Sequence, residues 1–149
     1  EHVFTFTGHP ATCAVALRIV GNVNKEVSII ERKGKYLIEN LSKLVAEFPD
    51  LVRDVRGLGM MVGVEMDTTK DKTLAAIVGK RCLEHGVYVG FIGVDNEVLR
   101  IQPPFIVTHH QIDILVSTLR KVLNEFKQGE IPESTYESYR KYSLGLGNN

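Results

Sequence analysis

The sequence has little with which to build a cross-linked, metal-bound or membrane-embedded protein. Cysteine occurs only twice in 149 residues, at Cys13 and Cys82. Two cysteines in apolar surroundings make no disulfide framework, and a reducing cytoplasm is the setting that such usage fits. There is no C-x-x-C or H-x-x-x-H pair, and the adjacent His109 and His110 offer poor chelate geometry, so no structural metal is expected. An excess of either charge is also missing: eighteen Lys and Arg balance eighteen Asp and Glu. A dedicated nucleic-acid binder carries a basic surplus, so that class is set aside, while a single charged pocket stays open. The longest stretch without a charged residue, His2 to Leu17, is interrupted by Gly8, His9 and Pro10. It is neither a membrane span nor a signal-peptide core, and no membrane partner is expected.

What is present is the composition of an ordinary folded protein, 44% hydrophobic and 24% charged. At roughly 150 residues per domain, the length fits one domain. The chain begins at Glu1 without Met and runs straight into Val3, Phe4 and Phe6. So apolar a beginning is unusual for a natural N-terminus, and the chain is expected to be cut from a longer protein.

Periodicity orders the elements. Pro10 suits the first turn of a helix rich in small apolar residues, with Gly21, Asn22 and Asn24 weakening its end. A second helix is expected from Ile30, Leu37, Leu41, Leu44, Val45 and Phe48, stopped by Pro49-Asp50. Two short strands, Val52 to Leu58 and Met60 to Met66, meet near Gly57-Leu58-Gly59, and so short a connection implies antiparallel pairing. Leu74, Ile77, Val78 and Cys82 mark a helix that His85-Gly86 ends with a left-handed cap. Strands follow at Val87 to Ile92 and Glu97 to Ile101, the latter closed by Pro103-Pro104. Thr108-His109-His110-Gln111 has capping-box form and opens a last long helix striped by Ile112, Leu115, Val116, Leu119, Val122, Leu123 and Phe126. Beyond Lys127 the chain turns polar. Tyr136, Tyr139 and Tyr142 are spaced for a helical turn or two that covers a surface, and residues 144–149 read as a frayed tail. The expected fold is α+β: a small, mostly antiparallel sheet of about four strands covered by helices and preceded by a long helical segment.

Three segments carry chemistry. In Thr5-Phe6-Thr7-Gly8-His9-Pro10, hydroxyls, a glycine and a helix start combine in a form that either holds an anion or simply caps a helix. In Leu99-Arg100-Ile101-Gln102-Pro103-Pro104, an arginine sits inside a short apolar strand. Its planar fork either grips a carboxylate or reaches out to solvent or an acidic neighbour. Asp54 to Glu65 holds Gly57, Gly59 and Gly63, but not in the order G-x-x-x-x-G-K-[ST], so a hairpin is the better reading than a phosphate loop.

Taken in order and with their spacing, these segments resemble the C-terminal part of class III aminotransferases, the ω-aminotransferase group of fold-type-I pyridoxal-phosphate enzymes. The resemblance runs from His2 to about Phe126. It rests on Thr5 to Pro10 with the alanine-rich run to Leu17, on Val55 to Glu65, and on Leu99 to Pro104. One departure is Val3, where the family often has Gly after the histidine.

The resemblance implies pyridoxal 5'-phosphate as cofactor in the full-length protein, and a homodimer. Thr5 corresponds to the threonine that bonds the cofactor phosphate across the dimer interface. Arg100 corresponds to the arginine that grips the substrate α-carboxylate, and Arg56 to scaffold. The partners implied are a small-molecule amino donor and a 2-oxo acid acceptor. The Schiff-base lysine lies upstream of Thr5 in this family, so no catalytic residue is expected within residues 1–149, and the piece alone should be inactive. By the same analogy, residues 1–25 end a larger cofactor-binding domain and a linking helix, 26–127 form the small C-terminal domain, and 128–149 a polar tail. The Thr7-Gly8-His9-Pro10 variant leans toward ω-amine donors. Within the family the alternative is an aminomutase or decarboxylase; outside it, a free-standing α+β binding or regulatory domain without cofactor.

Overall fold

The computed structural model describes residues 8–94 and 96–145, the last five as backbone course only. Helix α1 spans Pro10–Glu47, 38 residues without interruption. The sequence reading divides it in two near Gly21. Gly costs a helix interior about 1 kcal/mol and Asn less, but neither removes a backbone donor, so the ladder continues through them. An apolar seam also runs across that point: Val20, Val23, Val27, Ile30, Gly34, Leu37, Leu41, Leu44 and Phe48 alternate by three and four. Pro10 occupies the first turn, and the His9 ring caps the start.

The lower half of α1 lies on a hairpin. Strands β1 (Val52–Leu58) and β2 (Met61–Met66) are antiparallel, with a register irregularity between Val52 and Asp54. The turn has Gly59 at φ +56°, the left-handed backbone that glycine adopts without steric cost. Gly34 of α1 crosses directly over it. A Cβ on Gly34 would stand 2.3 Å from the Gly59 carbonyl oxygen, so the absence of a side chain permits the close approach.

Helix α2 (Leu74–Glu84) ends at His85, and Gly86 takes φ +84° as expected. The expected strand from Val87 is shorter: β3 covers Gly90–Ile92 only. The Val87 N–H is already bonded to the Cys82 carbonyl at 2.9 Å, which ties this stretch to the end of α2. Strand β4 (Val98–Ile101) pairs antiparallel with both β2 and β3, giving the order β1-β2-β4-β3. Helix α3 (His109–Gln128) opens with the Thr108–Gln111 capping box and ends at Gly129, φ +70°. Helix α4 (Glu133–Gly145) is longer than the turn or two expected, and it takes in residues 144 and 145. The remaining tail residues lie outside the described ones.

The architecture is therefore α+β, with helices gathered on one face of a four-stranded antiparallel sheet. Leu37, Leu41 and Leu44 of α1, Val62, Val64 and Met66 of β2, Leu99 and Ile101 of β4, and the α3 stripe close one core. Strand pleating sends Gly63, Glu65 and Arg100 to the opposite, uncovered face. The upper half of α1 projects from the body, with Val15, Leu17, Ile19 and Val20 exposed. Among the described residues no helix is long and apolar enough to cross a membrane.

Candidate substrate-binding site

Arg100 follows from alternation. Leu99 and Ile101 are buried in the core, so the residue between them must face the other way. Its surroundings on that face are bare for a specific reason. Its register partner on β2 is Gly63 and its partner on β3 is Gly90, so neither neighbouring strand carries a side chain beside it. Arg100 is exposed and makes no hydrogen bond or ion pair with any described residue. It lines two hollows. One, of about 400 Å³, is bounded by Tyr88, Gln102, Pro103, Pro104 and Gln111. The other, of about 610 Å³, is bounded by Lys80, Phe91, Ile92, Asn96 and Tyr139. A planar guanidinium held on a strand, its donors unengaged by the described residues, is equipped to take a carboxylate by both oxygens.

The other arginine singled out is built differently. Arg56 donates to Asp54 Oδ2 at 2.9 Å and Glu65 Oε2 at 2.5 Å across the hairpin. The two carboxylates push its guanidinium pKa up. Arg53 is likewise paired with Asp67 at 3.2 Å.

Thr5, the expected phosphate contact, lies outside the described residues. The nearest described positions are Gly8, at φ +76°, and His9, whose Nδ1 accepts from the Thr12 N–H at 3.5 Å. The structure does not bring this helix start to Arg100 within the chain. An α-helix rises about 1.5 Å per residue, so Pro10 stands about 30 Å along the axis from Ile30. Ile30 is the residue of α1 that borders the Pro103-Pro104 turn.

The implied cofactor does not fit the described residues on their own. Every described lysine side chain is exposed or half-buried, and none sits in the desolvated pocket that a Schiff-base lysine needs. Cys82 is inert: burial, with Glu125 adding to it, pushes its thiol up to about 12. Among the described residues no group of three His, Cys, Asp or Glu is placed to hold a metal ion.

Periodicity places Lys80 on a helix flank, and nothing local announces that this flank borders a hollow. Tyr139, expected to cover surface, lines the same hollow. A second polar group also escapes sequence reading. Glu125 of α3 accepts from Arg81 Nε at 2.6 Å and lies 3.1 Å from His85 Nε2. Arg81 also donates to Glu84 at 2.9 Å, and the buried Thr135 hydroxyl of α4 donates to Glu84 at 2.9 Å. Burial alone would raise the Glu125 carboxyl, but Arg81 and His85 hold it below the usual range. These residues clasp α2, α3 and α4 together.

The profile of the family described as aminotransferase class-III matches residues 1–123. An acetylornithine aminotransferase of Methanocaldococcus jannaschii is 34% identical over 131 residues, 86% of this chain and 31% of that protein. A leucine/methionine racemase of Thermococcus litoralis is 30% identical over 137 residues, 87% of this chain and 30% of that protein. The crystal structure of an acetylornithine aminotransferase from Elizabethkingia anophelis superposes with a TM-score of 0.71 at 27% identity, covering 84% of this chain and 31% of that one. The chain thus spans about a third of the length of the relatives it matches.

Proposed function

The chain belongs to the class-III aminotransferase family, and we propose that it is the C-terminal part of an enzyme that moves an amino group from an amine or amino acid to a 2-oxo acid. The observation that carries this reading is Arg100, without a partner among the described residues, fixed on β4 between Gly63 and Gly90 and lining two hollows. In this proposal the guanidinium binds the substrate carboxylate and so fixes which way the reacting carbon faces, a positioning contribution.

Pyridoxal 5'-phosphate supplies the electron sink when bound. Its covalent anchor belongs to polypeptide outside residues 1–149, so this piece alone is inactive. Thr5 is assigned to the phosphate contact, reaching a neighbouring subunit's site in a homodimer. The distance along α1 between the helix start and the Arg100 face supports a division of the two contacts between subunits. The projecting half of α1, apolar yet exposed, supports grouping residues 1–25 with a larger body through a linking helix. Residues 26–127 are the small domain, and 128–149 the polar tail. A cytoplasmic setting belongs to the same proposal.

The racemase relative favours one second reading: this part of the chain binds substrate in enzymes whose chemical outcome is set elsewhere.

Arg100→Lys in the complete enzyme tests the central assignment. Loss of the two-point contact should weaken use of the carboxylate-bearing acceptor by about 1–3 kcal/mol. Unchanged steady-state kinetics with the acceptor remove Arg100 from the role. Thr5→Ala should loosen the cofactor, seen as falling visible absorbance on dialysis. Full occupancy after exhaustive dialysis sinks that contact.

A further inference from the structure

We propose that Lys33 is a positioning residue for substrate binding: its ammonium holds the Phe105 carbonyl and so fixes the exit of β4 just beyond Arg100. The assignment rests on the reading of Arg100 as the carboxylate clamp and adds a residue that acts through it.

The segment after β4 cannot be held by a ladder, because Pro103 and Pro104 have no N–H to donate. Among the described residues, Pro103 to Ile106 take part in two hydrogen bonds. The Val107 N–H donates to the Pro104 carbonyl at 3.0 Å, which closes the turn on itself. Lys33 Nζ donates to the Phe105 carbonyl at 2.9 Å. Of the two, only the second ties the turn to another element. The same segment walls the hollow of about 400 Å³ that Arg100 lines, through Gln102, Pro103 and Pro104.

The donor is set in place by its own surroundings. Lys33 is half-buried, and its neighbour Gly34 lies against the β1–β2 turn at Gly59 with no room for a Cβ. One turn earlier, Ile30 lines a hollow of about 600 Å³ together with Gly59, Pro104 and Phe105. A single turn of α1 therefore holds both turns at the end of the sheet where β2 begins and β4 ends. Fixing a long lysine side chain costs rotamer freedom. Lys35, Lys43 and Lys121 each meet a side chain within four residues on their own helices. Lys33 alone among the described lysines reaches a backbone carbonyl, 72 residues away in sequence. β4 has only four residues, so a shift at its exit is passed to Arg100, and a small misplacement of a binding group is costly.

The test uses the complete holoenzyme with pyruvate and 2-oxoglutarate as acceptors. Lys33→Met keeps the stem but removes the donor. It should raise KM about fivefold for the acceptor that the wild type uses and leave kcat within about twofold. Lys33→Arg, which keeps a charged donor, should stay within about twofold of the wild type. In an Arg100→Lys background, Lys33→Met should change KM by less than about twofold, because it acts through the group already altered. A merely structural lysine gives the opposite pattern: a lower kcat or lost cofactor absorbance at unchanged KM, and effects that add. Any of these results overturns the proposal, as does a Lys33→Arg enzyme as impaired as Lys33→Met or a Lys33→Met chain that cannot be recovered with cofactor bound. Arg100→Lys with unchanged acceptor kinetics overturns the clamp reading instead, and a wild type inactive with both acceptors overturns the transaminase reading; both failures are seen before Lys33 is touched.

Discussion

Two groups of charged side chains in this chain are organised in opposite ways. Where α2, α3 and α4 meet, Arg81, Glu84, His85, Glu125 and Thr135 satisfy one another, and the side chains of Arg81 and Glu125 are only 19% and 13% exposed. On the open face of the sheet, Arg100 stands between two glycines with no partner among the described residues. The first group uses its charge to hold three helices together, since ions largely removed from water are costly to leave unpaired. The second keeps its charge available. Among the described residues, Arg53 and Arg56 of the sheet meet carboxylates and Arg100 does not.

The contrast can be broken most sharply at Glu125. Glu125→Gln keeps the shape but removes the negative charge beside the Arg81 guanidinium, and should cost about 1–3 kcal/mol in urea unfolding at neutral pH. A loss near zero would mean that the clasp is ornamental. The same carboxyl predicts an acid effect. Its folded pKa lies below its unfolded one, so the stabilisation is fully present above the ordinary glutamate range. It fades as pH falls through that range and on through the lower folded value. Glu47, held down by Arg120, acts in the same direction. Unfolding curves between neutral and acid pH should therefore show a shallower decline in Glu125→Gln than in the wild type.

Thr135→Val comes next. It removes the hydroxyl that ties α4 to Glu84 and should cost about 1 kcal/mol, read from the same unfolding curves. The smallest effect is expected at Arg100→Met. An exposed side chain without a partner among the described residues loses little on substitution, so stability should stay within about 0.5 kcal/mol. A destabilisation as large as that of Glu125→Gln would show that Arg100 belongs to the scaffold, and the two regions would no longer be opposites.

Much of the fold was legible because its signals are local. Thr108 and Gln111 form their capping box, Gly86 takes the left-handed backbone after α2, and Pro103-Pro104 follow the end of β4. Each depends on backbone preferences within a few residues. The errors came where distant residues decide. α1 runs on through Gly21, Asn22 and Asn24 because one apolar seam connects its halves. β3 is cut short because the Val87 N–H is held by Cys82. α4 is a full helix docked through Thr135, which polar composition alone does not reveal. Arg100 stood out as a charge inside an apolar strand, whereas nothing local showed that Lys80 borders a hollow.

By itself, then, the amino-acid order determined the α+β layout, the turns and caps, and the alternation that turns Arg100 away from the core. All of these follow from torsional preference and side-chain periodicity over short spans. Tertiary structure alone decided that Gly63 and Gly90 flank Arg100, that Lys80 borders a hollow, and that Glu125 rather than Arg100 is paired. Strand register and desolvation are set by segments far apart in the chain, and no local pattern encodes which of them will meet.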